Sequence, residues 1–206
     1  MATVVADMSM SLDGFIADPS DNVGPLFDWF LHGEVTVPSA DPRWSFHTTE
    51  ASAAHLRNAL ANVGALVCGR RLFDLAGGWG GSHPMGVPVF VVTHTVPDGW
   101  PRADAPFTFV TDGLESAIAQ AKATAGAKIV AVASPTVAQQ CLNAGLLDEI
   151  SVSLVPVLLG AGIRFFDNLA GAPVALEDPR VIEGAGVTHL TYHVRQAAPV
   201  PPCRTE

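Results

Sequence analysis

Short apolar runs rich in β-branched residues alternate along the chain with longer stretches of helical periodicity. Residues 3–8, 65–68, 87–93, 107–110 and 129–133 have the length and composition of buried strands. Residues 49–63 predict an amphipathic helix, with Ala53, Leu56, Leu60 and Val63 on one face, Thr49 as N-cap and Gly64 as the terminating glycine. Residues 70–76 predict a short helix. The sequence Asp112-Gly-Leu-Glu115 reads as a capping box that opens a helix to Gly126. Ser134-Pro135 has the form of an N-cap followed by proline at the first helical position, and this helix runs to Gly145. Residues 148–155, 174–182 and 187–194 predict three more strands, the last two pairing across 183–186.

Between these elements, residues 11–15 form a turn around Asp13-Gly14, and residues 25–31 supply one or two helical turns opened by Pro25. Residues 35–46 read as a loop, interrupted by Pro38 and Pro42. The run Gly77-Gly-Trp-Gly-Gly81 predicts mobility or an unusual turn, since glycine tolerates dihedrals that other residues avoid. Alternating strands and helices followed by a run of strands predict a three-layer α/β domain over 1–196, its sheet mainly parallel with an antiparallel end. The proline-rich tail 197–206 is expected to be disordered.

Composition narrows the functional classes. The 206 residues are 49% hydrophobic and carry a net charge of −9, with only 11 Lys and Arg. This balance excludes wholesale disorder and a generally basic nucleic-acid-binding surface. Cys68, Cys141 and Cys203 form no Cys-x-x-Cys motif, so neither a disulfide framework nor a cysteine metal site is expected. No basic leader and no long apolar run is present, which predicts a cytoplasmic protein without membrane spans. His189 and His193 are four apart in a strand, too distant to share a metal, while His32, His47, His55 and His83 are expected at the surface. No Gly-x-Ser-x-Gly elbow, HExxH or Walker A motif is present.

Gly69-Arg70-Arg71 ends one predicted strand and opens a helix, an arrangement suited to phosphate, although Asp74 one turn on accounts equally well for one arginine. Thr93-His94 ends a second strand. Ser134 ends a third, where simple capping is the alternative. Ligands of open α/β sheets sit beyond the carboxyl ends of the strands, so these three ends would surround one cofactor. Asp13 follows the first strand in an apolar run, where it would protonate or orient a substrate nitrogen or else form an ordinary Asp-Gly turn; Asp28 and Trp29 raise the same question. Gly160-Ala-Gly162 lacks the third glycine of a dinucleotide fingerprint but marks a tight turn.

Ser11-Leu-Asp-Gly-Phe-Ile-Ala17, Gly69-Arg-Arg71 with Phe73, and Val87-Pro-Val-Phe-Val-Val-Thr-His94 form an ordered series. It continues with Phe109-Val-Thr-Asp-Gly-Leu-Glu-Ser-Ala117, Val137-Ala-Gln-Gln140, Ala144-Gly-Leu-Leu-Asp-Glu149, Pro156 to Phe166 and Val187-Thr-His-Leu190. In order and spacing the chain resembles the dihydrofolate reductase-like family that includes the reductase domain of the bifunctional riboflavin-biosynthesis deaminase–reductase. It looks most like that family's stand-alone bacterial members. The resemblance implies a homodimeric reductase moving hydride from NADPH to a C=N bond of a small pterin-, aminopyrimidine- or imine-like substrate. By position, it implies that Gly69, Arg70 and Arg71 hold phosphates and that Thr93 and His94 lie near the adenosine 2′-phosphate; the Ser134 hydroxyl, outside the family pattern, would be a compensating phosphate contact. It also implies that the Leu159-Gly160 turn approaches the nicotinamide and substrate and that Asp13 lies on the substrate side; the residue pattern itself leads to no metal site being expected. Two departures stand out: Leu72 replaces the usual threonine, and Ala133-Ser134 replaces a Gly-Gly pair before Pro135. They raise the alternative of a pocket that has lost NADPH. Such a protein would run a dehydration, cyclisation or isomerisation, or bind a small molecule.

Overall fold

The computed structural model describes residues 2–195; the predicted 197–206 tail and Cys203 lie outside them. In chain order the elements are β1 (Val4–Ser11), β2 (Phe15–Ala17), a 3₁₀ turn (Gly24–Phe30), β3 (Val35–Pro38), β4 (Ser45–Thr48), α1 (Glu50–Asn62), β5 (Val63–Gly69) and α2 (Arg70–Leu75). Then come β6 (Val89–Val92), β7 (Phe107–Val110), α3 (Leu114–Ala125), β8 (Ile129–Val132), α4 (Pro135–Asn143), β9 (Glu149–Val155), β10 (Ile163–Arg164), β11 (Arg180–Gly184) and β12 (Val187–His193).

Eight strands form one sheet in the order β11-β12-β9-β1-β8-β5-β6-β7. From β9 to β7 every pairing is parallel, and β12 and β11 add antiparallel strands at one edge, as the pattern predicts. One face is largely apolar. Val4 and Ala6 of β1, Val67 of β5 and Val132 of β8 pack against Ala117, Ile118 and Ala121 of α3 and Val137 and Cys141 of α4. The other face divides in two. Its β5–β6 half is apolar, with Leu66, Cys68, Val89 and Val91 under Phe73 of α2. Its β1–β9–β12 half is polar: register pairs Asp7 with Ser151, Ser9 with Ser153, and Ser153 with His189. α1 covers that polar half, contacting β11 and β3.

Several local expectations change. Residues 35–46 are not a loop: β3 and β4 form an antiparallel hairpin, with Val37 buried opposite Phe46. Its prolines sit at the end of β3 and in the connection, where no ladder N–H is lost. Gly64 does not terminate α1. The chain enters β5 directly, and glycine is required because a Cβ there would stand 2.9 Å from the Ala125 Cα. Thr49 precedes α1 but makes no capping hydrogen bond, and the capping box at α3 is absent; Asp112 instead accepts the Ser116 hydroxyl at 2.9 Å. The strand expected over 174–182 shrinks to β11 plus a single bridge at Leu176, because Pro173 and Pro179 remove ladder donors. Residues 77–81 take the unusual-turn option, with left-handed φ at every position, Trp79 included. Cys68 and Cys141 are buried free thiols, and burial pushes both up to about 12. Among the described residues no helix is long and apolar enough to cross a membrane, and no cluster of metal-ligating side chains occurs.

Candidate active site

A cavity of about 1520 Å³ opens where the carboxyl ends of the parallel strands converge. Gly69, Arg70, Arg71, Thr93, His94 and Ser134 all stand in its wall, so the three strand ends singled out in the sequence do meet. Thr111, Gly113 and Thr136 complete this end. The far end is lined by Asp7, Ser9, Ser153 and His55 and walled by aromatic and aliphatic side chains: Phe27, Trp29, Phe30, Phe46, Leu56 and Leu60. The predicted apolar face of α1 is therefore only partly core, since Leu56 and Leu60 face the cavity.

Both arginines already have carboxylate partners. Arg70 Nε donates to Asp74 at 2.8 and 2.9 Å, and its Nη1 donates to the Thr95 carbonyl at 3.0 Å. Arg71 reaches the loop after β2, pairing with Asp21 across the cavity mouth. This partner raises the Arg71 pKa and keeps the side chain, largely exposed, at the rim. The Thr93 hydroxyl donates to the Thr95 carbonyl at 2.8 Å. The Ser134 hydroxyl does not cap α4. It accepts the Gly69 N–H at 2.8 Å and so ties the ends of β5 and β8 together.

Asp13, Leu159 and Gly160 assemble elsewhere, outside the cavity wall. The Asp13 carboxylate accepts the Ser11 hydroxyl at 2.6 Å and the backbone N–H groups of Leu159 at 3.1 Å and Gly160 at 2.7 Å. The Ser11 hydrogen bond and then these amides hold its pKa below the usual carboxylate range, which suits a fixed anchor and not a proton donor. Replacing Asp13 by asparagine is expected to loosen the 157–163 turn. Hydrogen exchange at the Leu159 and Gly160 amides should accelerate roughly tenfold or more; unchanged exchange would show that the carboxylate does not hold the turn.

Sequence reading overlooked Asp7 and misplaced two histidines. Asp7 lies half-buried on the central strand, and burial pushes its carboxyl up to about 6 despite the Ser151 hydroxyl beside it. The signal was present: an acid inside the apolar run Val-Val-Ala-Asp-Met has no turn to explain it. His189 is fully buried between the hydroxyls of Ser153 (Nδ1, 2.9 Å) and Ser52 (Nε2, 2.9 Å), stacked on His55 at 4.1 Å. His83 packs edge-on against Trp79 at 4.7 Å. Burial lowers His189 and His83 to about 4 and lowers His55 as well. Neutral buried imidazoles stabilise the fold above the unfolded-state value near 6.5, and that contribution is lost as pH falls towards 4. Asp7 acts oppositely, since its raised pKa removes stability as pH rises from about 4 to 6. Asp7→Asn should therefore raise Tm at neutral pH and leave it nearly unchanged at about pH 4. The His83 and His189 ring-proton shifts should stay constant down to about pH 5.5.

A mainly parallel sheet with antiparallel strands at one edge, flanked by helices and holding a long cleft at its strand ends, defines a dihydrofolate reductase-like fold. The chain matches the RibD C-terminal domain over residues 2–183 and belongs to that family. Among solved structures, a protein provisionally described as a riboflavin biosynthesis protein from Shewanella sp. PV-4 is 26% identical. That match covers 95% of this chain and 100% of the other, with TM-score 0.70. The deaminase/5-amino-6-(5-phosphoribosylamino)uracil reductase of Thermotoga maritima is 12% identical with TM-score 0.57; 94% of this chain aligns, on only 57% of that one. Dihydrofolate reductase from Enterococcus faecalis, solved with NADP(H), is 15% identical, TM-score 0.55, with 94% and 97% covered. No curated protein matches the chain.

Proposed function

We propose that the protein is an NADPH-dependent reductase acting on the C=N bond of a small pterin-, aminopyrimidine- or imine-like substrate. One observation carries the reading: the ends of β1, β5, β6, β7 and β8 open on a single cavity with arginines at one end and an aromatic pocket at the other. Its volume exceeds the roughly 300–1,000 Å³ of ordinary small-ligand pockets, so a dinucleotide and a second small molecule fit together. Family membership and the E. faecalis neighbour support the same reading. Arg70 and Arg71 would hold phosphates, and Thr93, His94 and Thr111 would face the adenosine side. Bound NADPH would supply the hydride. The chain supplies placement, a dry aromatic wall and, through Asp13, a fixed 159–160 turn. A homodimer in the cytoplasm goes with this reading by family analogy. The test is NADPH consumption across cyclic imines, dihydropterins and aminopyrimidinones, with turnover of at least one class expected and turnover of none counting against the reading.

A specific observation favours a second reading. Ser134 Oγ occupies the Gly69 N–H, and Pro135 has none, so two backbone donors at the phosphate end are withdrawn. A protein that had lost NADPH would use the cavity for a redox-neutral dehydration, cyclisation or isomerisation, or for binding alone. The triple substitution Leu72→Thr, Ala133→Gly, Ser134→Gly separates the two. Under the first reading wild type binds NADPH and the triple variant changes little. Under the second, binding appears only in the triple variant.

A further inference from the structure

One stretch of the cavity wall is a seam between two segments that belong neither to the eight-stranded sheet nor to its flanking helices. On one side is the tip of the β3–β4 hairpin, residues 39–43, which leads into Trp44, Ser45 and Phe46 of the wall. On the other is the glycine strap 77–81, whose Trp79 lines the wall together with His83, Pro84 and Met85 just after it. Among the described residues three hydrogen bonds cross this seam. The Ala40 N–H donates to the Pro84 carbonyl at 3.0 Å, and the Ser39 hydroxyl donates to the same carbonyl at 2.7 Å. Arg43 Nη2 donates to the Trp79 carbonyl at 3.1 Å. Arg43 is aimed by Asp41, a buried carboxylate that accepts its Nε at 2.9 Å. The base of the hairpin is seated more firmly: Thr48 is fully buried, and its hydroxyl donates to the Trp29 carbonyl at 2.6 Å.

The strap can take more than one shape. All five of its residues have φ between +49° and +105°, and four of them are glycine, which crosses between left- and right-handed backbone at little cost. Trp79, at φ +49° and ψ +28°, is the exception: a bulky side chain is strained there. Two things hold it. Its ring packs on His83 at 4.7 Å and Phe107 at 6.2 Å, and Arg43 grips its carbonyl. The fit around that grip is close, since a Cβ at Gly80 would stand 2.6 Å from Arg43 Nη1. Phe46, on the hairpin side, packs edge-on against Phe30 at 5.6 Å, so a parted seam leads straight to the aromatic pocket. The mouth at the arginine end is spanned by Arg71 and Asp21.

We propose that the 77–81 strap is a gate. Arg43 latches it shut against the hairpin tip, and release lets Trp79 leave its left-handed conformation and opens the aromatic end to small apolar molecules. Strain at Trp79 favours the open form, while the Arg43 bond and the ring contacts favour the closed one, which makes the strap a two-state element biased by a single side chain. The gate needs neither the cofactor nor the reductase reading.

Two substitutions loosen the gate independently. Arg43→Gln removes the charge-assisted bond to Trp79. Gly77→Ala leaves Arg43 in place but sets a side chain at φ +56°, with nothing within 4 Å, so its strain falls on the closed strap. The test is stopped-flow mixing of the full chain with prodan, a neutral dye that fluoresces in apolar surroundings and has no charge to draw it to the arginines. Both variants, their folding checked by Tm, should raise the association and dissociation rate constants together by about three- to tenfold and leave Kd within about twofold. A residue that simply touched the dye would change Kd through dissociation alone. Hydrogen exchange on the dye-free protein gives a second readout. The Ala40 and Trp79 amides should exchange several-fold faster in both variants, while the Leu66 and Val130 amides of the main sheet stay unchanged. No dye uptake, rates unmoved by both substitutions, a shift in Kd without parallel shifts in both rates, or exchange at Ala40 and Trp79 that ignores Arg43 would each overturn the gate. None of these readouts involves NADPH, so the reductase reading stands or falls on its own titration.

Discussion

Replacing Arg70 and Arg71 together by alanine should weaken NADPH binding by roughly 100-fold or more, each charge-assisted contact to phosphate being worth about tenfold. Tm should hardly move. The pairs lost, Arg70–Asp74 and Arg71–Asp21, are each partly exposed to solvent, and such pairs contribute little to stability. Asp21→Asn should have the opposite sign. It removes the carboxylate that now competes for Arg71, so NADPH affinity should rise severalfold. The two variants bracket the claim: if neither moves the dissociation constant, the arginine end does not hold phosphate. The salt dependence of binding should flatten in the double-alanine variant for the same reason.

Gly162→Ala should be among the most damaging single substitutions outside the cavity. A Cβ at Gly162 would overlap the Ala17 carbonyl oxygen and approach the Asp18 Cα at 3.1 Å, at a φ of +149° that side chains avoid. The 160–162 turn can adapt only by pulling β10 away from β2, its partner. A loss of roughly 3 kcal/mol or more follows, which for a chain of this size lowers Tm by about 6–12 °C. Gly160→Ala is the control within the same motif. Its φ is +76°, but nothing lies within 4 Å, so only about 1–2 kcal/mol of backbone strain is expected. Comparable melting temperatures for the two variants would contradict this account of why the motif holds two glycines. Gly162 thus serves a backbone-to-backbone contact with Ala17, where the sequence pattern alone showed only a tight turn.

Much of the sheet was legible because its information is local. Uninterrupted Val, Ile and Ala runs mark strands buried on both faces, and the buried face of α3 follows the helical spacing of Leu114, Ile118, Ala121 and Ala125 in the sequence. The β3–β4 hairpin was not legible, because its prolines mimic a loop and only the sheet register shows that they fall where no hydrogen bond is needed. The phosphate end was legible as residue types at strand ends. Its present state was not: the Gly69–Ser134 hydrogen bond joins residues 65 positions apart, and the Arg71–Asp21 pair joins residues 50 apart. The aromatic-walled end was hidden for the same reason. Asp7, Ser151, Ser153 and His189 each look like an isolated polar residue in a strand, and only the parallel register of β1 with β9 and the antiparallel register of β9 with β12 bring them to one face. Asp13 drew attention by its position after β1, yet its hydrogen bonds to a turn almost 150 residues later give it an anchoring geometry that no local pattern contains.

The most direct test is a calorimetric titration of the purified protein with NADPH, with NADH and NADP⁺ alongside. One NADPH bound per chain with a micromolar dissociation constant, weakened in the Arg70→Ala, Arg71→Ala double variant, is the predicted result. No heat of binding at millimolar NADPH would contradict it, and the cavity would then belong to redox-neutral chemistry.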